Sequence, residues 1–518
     1  MKKRILIIFF IIGCLLMTSC SKKTEPRPDP IDDNYRVFYE IFTGSFSDSD
    51  GDGIGDLNGI INRLDYLNDG DMDSGNSLGI QGIWLTPIFK SPSYHKYDVQ
   101  DYYTIDPAFG TQEDLDRLIE ECHKRNIILI LDMVINHTSR YHPWFSDFYD
   151  AHRSGKTDDP YYDFYTYDIQ YEAQPGKAWC DIDNAGQVYE CNFSSDMPEL
   201  NFDNPKVREE VLDIAKFYLD KGVDGFRFDA AKYIYLSDNG RSVDFWKWYC
   251  DELRKIKEDV YLVAEVWSHE GEIDQYETAL NCFNFSMSQA EGIIAKTAKG
   301  SDMKMYTHYI SSYQDKLKSI NSKSMPIPFI SNHDMDRAAG YLSISDGKAF
   351  FAANLYLLSP GSPFLYYGEE IGMKGSRGAA NTDANRRLAM LWGDNDTISD
   401  PEGSTYDITK QINGTVIDQT KDKNSLLNYY RDLIQIRNRY PQIARGTYNF
   451  IDLDNSNLGG FSIEYNGETT YLFHNNSSEE ITIAADTYSE LLDHIGMNSA
   501  SFKDGKLTIG AMTSVILK

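Results

Sequence analysis

Between residues 35 and 440 the chain alternates short apolar runs with longer stretches whose apolar positions recur at helical spacing. The runs are Val37–Phe42, Gly82–Pro87, Ile127–Ile135, Gly225–Phe228, Tyr261–Val266, Asn281–Phe285, Ile327–Ile330 and Phe364–Tyr367. They are apolar at successive positions instead of alternate ones, which suits strands buried on both faces of a parallel sheet. The intervening helices carry their own signals. Asn204-Pro205 reads as an N-cap followed by proline at the first helical position. Val207, Val211, Ile214, Ala215, Tyr218 and Leu219 form one apolar face, and Gly222 ends it. Strand and helix in repeated alternation predict a (β/α)8 TIM barrel, an α/β fold, with the pattern weakest at the sixth strand.

One connection breaks the rhythm. Residues 138–204 are rich in Tyr, Asp, Gly and Pro and too long for a structureless loop in a compact domain. They predict an inserted subdomain after the third strand, at the barrel face where βα loops build sites. Beyond a helix at Ser425–Asn438 the pattern turns to alternation, as in Phe461–Tyr465 and Thr470–Phe473, and residues 441–518 read as an antiparallel β-sandwich. The barrel is thus expected over 35–137 and 205–440.

The N-terminus changes the picture of where the protein works. Met1-Lys2-Lys3-Arg4 precedes an apolar run from Ile5 to Met17, too short to be a stable span, and reads as an export signal over residues 1–19. Met17-Thr18-Ser19-Cys20 resembles a bacterial lipobox, although the usual leucine stands one place early, at Leu16. The resemblance implies cleavage before Cys20 and a lipid on its sulfur, hence an exported protein anchored in the cell envelope. An ordinary signal peptide with a chance cysteine is the alternative. Residues 20–34, with three prolines and almost nothing apolar, read as a flexible tether. No other segment is long and apolar enough to cross a membrane. A formal charge of −29 argues against nucleic acid and anionic membrane surfaces as partners, and leaves neutral ligands such as sugars unaffected. Of seven cysteines, Cys180 and Cys191 could pair across a short hairpin, whereas Cys122, Cys250 and Cys282 fall in apolar patterns and read as buried thiols.

Polar clusters stand at the C-terminal ends of successive strands: Asp132 to Asn136-His137, Arg227-Phe228-Asp229, Glu265-Val266-Trp267, and Asn332-His333-Asp334. Any one acid or histidine alone would more often cap a helix or face solvent. Strand ends of one barrel converge on one mouth, so together the clusters predict a site. In order and spacing they resemble the signature regions of glycoside hydrolase family 13, the α-amylase family, a likeness that runs over the whole chain after the tether. It implies Asp229 as nucleophile, Glu265 as general acid/base and Asp334 as transition-state stabiliser. His137, Arg227 and His333 match the substrate-subsite residues, Lys232 matches the lysine on the leaving-group side, and Tyr97 with His95 and Asp98 matches the loop at the cleavage point. The residue types suit retaining hydrolysis, in which two carboxyl groups flank the anomeric carbon. Arg227, two residues before Asp229 on one strand, shares its face and favours its ionised form. Zinc at the histidines is disfavoured because no close ligand spacing supports it.

Asp48-Ser-Asp50-Gly-Asp52-Gly-Ile54-Gly-Asp56 places carboxylates at alternate positions of a glycine-rich loop, which suits Ca²⁺. It resembles the calcium loop of oligo-1,6-glucosidase-like members, with Ile54 giving its carbonyl; a solvated acidic turn is the alternative. A second family calcium site matches at Asn136 only, because Glu199 and Tyr233 replace the usual partners. Within the family, Ala230 and Lys232 favour an endo-acting α-1,4-glucan hydrolase working on starch or maltooligosaccharides. An exo-acting α-glucosidase, an oligo-1,6-glucosidase and a neopullulanase-type enzyme are the alternatives. A non-catalytic glycan-binding relative is the remote one, since all three carboxylates are present.

Overall fold

The computed structural model describes residues 31–72, 74–168, 176–182, 186–406 and 413–518. The export signal, Cys20 and most of the tether lie outside the described residues. The end of the tether does not: Ile31 is buried, and its carbonyl accepts from Arg36 Nη2 and Asn126 Nδ2 at 2.9 Å each. Asp33 pairs with Arg445 at 2.7 Å. The expectation of a free tether as far as Asn34 is therefore corrected over its last residues, which one apolar side chain and one ion pair pin to the domain.

The apolar runs become a curled parallel sheet. Its strands, in spatial order, are Asn281–Cys282, Tyr261–Ala264, Gly225–Phe228, Ile128–Met133, Gly82–Leu85, Phe38–Ile41 and Phe364–Tyr366. The predicted seventh strand fills the gap between the two ends without forming a ladder of its own. Its carbonyls accept where its nitrogens cannot give: Asn284 N–H donates to Ile327 O at 3.0 Å, and Ser362 and Phe364 donate to Pro326 O and Pro328 O at 2.9 and 3.0 Å. Pro326 and Pro328 have no N–H, so they meet Ser362 and Phe364 through their carbonyls alone. Large side chains from alternate positions, among them Phe38, Trp84, Tyr261, Phe283, Phe329 and Phe364, fill the interior below the mouth.

The helices dock as their patterns predict. In Pro205–Lys221 the Asn204 side chain accepts from Lys206 N–H, the six apolar residues named above are buried, and Gly222 ends the helix at φ 105°. The insert carries the helix Pro143–Ser154 and a small sheet of Tyr167–Asp168, Val188–Glu190 and Trp179–Asp181. A disulfide joins Cys180 to Cys191, while Cys122, Cys250 and Cys282 are buried thiols. The insert is tied to the end of the third barrel strand where Leu200 N–H donates to Asn136 O at 3.0 Å.

The C-terminal part is two antiparallel sheets. Five strands run in the order Thr447–Ile451, Leu458–Tyr465, Glu468–Asn475, Thr513–Leu517, Leu491–Gly496, and three in the order Ile481–Ala484, Lys506–Ile509, Ala500–Lys503. Leu458, Phe473, Leu507, Ile509, Val515 and Leu517 form the core of this part. No helix among the described residues is long and apolar enough to cross a membrane.

Candidate active site

The fourth barrel strand sends Arg227 and, two residues on, Asp229 to the same face. Arg227 has no exposure at all. Its Nη1 donates to Asp132 Oδ1 and Oδ2 at 2.8 and 3.0 Å and to Asp229 Oδ1 at 2.8 Å. Its Nη2 lies 2.9 Å from Glu265 Oε2, a close charge contact whose angle falls short of a hydrogen bond. One guanidinium thus holds the carboxyl groups of three adjacent strands. Behind Asp229 the backbone turns sharply: Ala230 adopts φ 43°, ψ 47°, a left-handed conformation that costs a non-glycine residue about 1 kcal/mol or more. That turn aims the Ala230 N–H at Glu265 Oε2, 3.1 Å away, and ties nucleophile candidate to acid candidate.

The electrostatics separate the carboxyl groups. Burial, reinforced by Asp229 and Asp334, outweighs the pull of Arg227 and pushes Glu265 up to about 7. Asp334 is in the opposite case. Burial opposes its charge, but His333 and Arg387 prevail and hold it well below the usual carboxylate range. His333 Nε2 lies 3.1 Å from its Oδ2 and Arg387 Nη2 2.7 Å from its Oδ1. Burial, with Arg387 adding to it, lowers His95 to about 4, and burial likewise lowers His137.

These groups meet in a cleft of about 630 Å³. Of the residues predicted from sequence, Asp229, Glu265, Asp334, Tyr97, His95, His137 and Lys232 line it. Arg227, His333 and Asp98 do not line the cleft. The first two are buried behind its wall, and Asp98 holds the loop together by accepting from Ser91 Oγ at 2.8 Å and from Ser93 Oγ. Ala230, Tyr94, Phe193, Tyr233, Trp267, Asp383 and Arg387 also line it. Trp267 stood in the cluster with Glu265, and Tyr94 precedes His95 in its loop; Arg387 and Asp383 come from a segment that no periodicity announces. Lys232 Nζ donates to Trp267 O at 3.0 Å, which joins the fourth and fifth strand loops at the rim.

In the acidic loop, Asp48, Asp50 and Asp56 bring ligand oxygens within 4.8 Å of one another, the one such grouping among the described residues. Gly51 and Gly53, at φ 89° and 91°, let the loop fold back so that their N–H groups donate to Asp48 at 2.7 and 2.8 Å. Hard oxygen donors of this kind fit Ca²⁺. Asp52, also expected as a ligand, lies outside the grouping, its Oδ1 accepting from Ile54 N–H at 2.7 Å. At the second position, burial and Glu190 hold Glu199 well above its usual range, and Tyr233 packs its ring 4.5 Å from that of Phe193. Asn136 Oδ1 and both Glu199 carboxyl oxygens are buried there without a hydrogen-bond partner.

Residues 40–446 match the protein family described as alpha amylase, catalytic domain. "Alpha-amylase 3" of Dictyoglomus thermophilum is 37% identical over 488 residues, 93% of each chain. "Oligo-1,6-glucosidase" of Parageobacillus thermoglucosidasius is 30% identical over 76% of this chain and 81% of its own. The solved structure "Eubacterium rectale Amy13B" is 37% identical, superposes with a TM-score of 0.88, and is covered over 97% of its length and 95% of this chain.

A reaction that draws its proton from Glu265 is expected to lose rate as pH rises through about 7, because the raised carboxyl is protonated below that value and ionised above it. Measuring kcat/KM from about pH 4 to about pH 9 locates the limb. Glu265→Gln is expected to lower kcat by about 10²-fold or more and to remove the limb; a profile flat across pH 7 in the parent would contradict the assignment.

Proposed function

This chain belongs to the α-amylase family, and from that premise we propose that it is a retaining hydrolase of α-1,4-linked glucans that cuts within the chain. The observation that carries the reading is the shared guanidinium: Arg227 donates to Asp229 Oδ1 at 2.8 Å, while Glu265, 2.9 Å from the same group, is pushed up to about 7 by burial. Asp229 attacks the anomeric carbon as Glu265 gives its proton to the leaving oxygen, and a glycosyl ester forms on Asp229. Glu265, now ionised, takes a proton from water, whose oxygen attacks the same carbon and frees Asp229. Asp334, held ionised, pairs with sugar hydroxyls as positive charge develops on the ring. His95, whose Nδ1 accepts from the Tyr97 N–H, donates to a hydroxyl through Nε2, while His137 gives its Nε2–H to the Tyr97 carbonyl and steadies the Tyr97 ring, which forms part of the wall on which the sugar rests.

Similarity to "Alpha-amylase 3" favours an amylase-type reaction. So does a second cavity, of about 630 Å³, that shares Trp267 and Asp334 with the first and gives a longer glucan room beyond the reacting centre. The relatives also include oligo-1,6-glucosidases and 4-α-glucanotransferases, so they do not single out one bond or mode. Exo-acting α-glucosidase or oligo-1,6-glucosidase activity is therefore the second reading. Amylose digestion, with iodine colour and reducing ends followed together, separates the two. Early loss of colour with few new ends is the expected result; persistent colour while glucose accumulates, or faster cleavage of isomaltooligosaccharides, would establish the second.

We further propose Ca²⁺ at Asp48, Asp50 and Asp56, where it would brace the loop after the first strand and take no part in bond cleavage. Chelation is expected to lower Tm by several degrees (a ligand at 100 times its Kd adds about 2.7 kcal/mol), with Ca²⁺ restoring it. An unchanged Tm would count against the ion. Anchoring through Cys20 is proposed on the lipobox resemblance. Cys20→Ser is expected to move the protein from the membrane fraction to the soluble one and to abolish incorporation of labelled fatty acid; an unchanged distribution would reject the anchor.

A further inference from the structure

Below the cleft runs a buried chain of charged groups of which the mechanism uses only the outer end. Glu40 lies in the first barrel strand, two residues after Phe38 and on the same inward face, with 1% exposure. Its Oε1 is 2.5 Å from His333 Nδ1 and also accepts from the His333 backbone N–H at 3.3 Å. Across the ring, His333 Nε2 is 2.7 Å from the Tyr97 hydroxyl and 3.1 Å from Asp334 Oδ2. Tyr97 donates its own proton to Asp132 Oδ2 at 2.9 Å, so it offers His333 only a lone pair. The Asp334 carboxylate offers nothing else either. Both ring nitrogens therefore face acceptors, and a ring with N–H on each is the form that satisfies both sides.

We propose that Glu40 is a positioning residue whose buried carboxylate holds His333 as an imidazolium and, through it, sets Asp334 and Tyr97 at the cleft. The proposal rests on the reading of the cleft as a glycoside hydrolase site and assigns a task to a strand residue that touches no substrate. The surroundings of the ring are otherwise aromatic or cationic. Trp84 and Phe42 stand 5.7 and 6.5 Å away, and Tyr97 stacks at 5.4 Å. Arg387 Nε donates to the His333 carbonyl at 3.1 Å, and Arg227 lies beyond Trp84, 4.9 Å from that ring. Burial alone would favour a neutral ring; Asp334 and Glu40 outweigh it and raise His333 well above its ordinary value. Without the charge on Glu40, Asp334 would be the ring's only carboxylate partner. Asp334 is also the group that sugar hydroxyls require. A glutamine at 40 keeps the shape and an acceptor at Nδ1 but removes the counter-charge, so the ring would lose a proton at a lower pH.

The test is an NMR titration of the parent and of Glu40→Gln and Glu40→Asp, with ¹⁵N-labelled histidine and the His333 signals assigned from a His333→Asn variant. In the parent both ring nitrogens are expected to stay protonated to about pH 8, well above the reference value of about 6.5. In Glu40→Gln the ring is expected to titrate at least one pH unit lower. Its kcat should fall about tenfold or more with KM changed less than about threefold, and Glu40→Asp should recover part of the loss. A neutral His333 at pH 7 in the parent would overturn the proposal, and this readout holds even where the glutamine variant does not fold. Parental titration and parental kcat in Glu40→Gln would also overturn it. Because the ring titration needs no substrate, it stands apart from the proposed reaction: a chain inactive on every α-glucan would sink that reading and leave the charge of His333 still to be read.

Discussion

A guanidinium sealed from solvent sits at the centre of the barrel mouth, and the site is arranged around the problem of keeping it there. Arg227 cannot give up its proton, and a buried charge is tolerated only when opposite charges surround it. Asp132 meets it with both oxygens, Asp229 with one, and Glu265 stands against its other nitrogen, each from a different strand. Truncating one member of such a group costs about 3–5 kcal/mol, so the arrangement fixes the positions of three neighbouring strand ends. The carboxyl groups also outnumber the cations. Asp132, Asp229, Asp334, Glu40 and Glu265 face Arg227, Arg387 and His333, and burial raises two of the five. Glu265 rises to about 7 and Asp132 to about 6, while Asp334, flanked by two cations, stays low. Acid and ionised stabiliser are thus distinguished by their neighbours and not by their chemistry.

The parts of this arrangement that could be read from the sequence are those in which a local pattern carries the information. Arg227 and Asp229 are two residues apart in an apolar run, so their common face follows from strand geometry. Asn204, Pro205 and Gly222 write the ends of a helix in three kinds of local chemistry, and the helix forms between them. The seventh strand was legible by its apolar residues, but its missing ladder depends on Pro326 and Pro328 facing neighbours whose register no local pattern gives. Glu40 reads as one polar residue in a strand; its meaning comes from His333, far along the chain. Arg387 is invisible for the same reason, because no periodicity announces its segment and its partner Asp334 is defined only by the closed barrel. Asp98 shows the reverse. Its place beside Tyr97 suggests the cleft, yet two serines one turn back claim its carboxylate.

Among the non-glycine residues with positive φ, Ala230 stands directly after Asp229. A left-handed backbone at a residue with a Cβ persists only when its surroundings over-determine it. Here the Ala230 and Ala231 N–H groups are both taken by Glu265, through its side chain and its carbonyl. A larger or branched residue would add a steric cost to the same conformation. The small side chain therefore serves the turn as well as the cleft wall, which gives its presence after Asp229 a cause independent of substrate choice.

The geometry at the opposite end bears on how the cleft is presented. Ile31 and Asp33 meet the domain beside Arg36, Gln81, Asn126 and Ser362, all of them at the entry ends of barrel strands. The groups proposed for catalysis stand at the exit ends of the same strands, beyond Asp132, Phe228 and Ala264. The chain's N-terminal segment therefore arrives on the face away from the cleft, with the full length of the strands between them. A segment that left from the cleft face would compete with a glucan for the mouth and would set any surface it was fastened to against the opening. The buried isoleucine and the Asp33–Arg445 pair fix residues 31–34 at that far face.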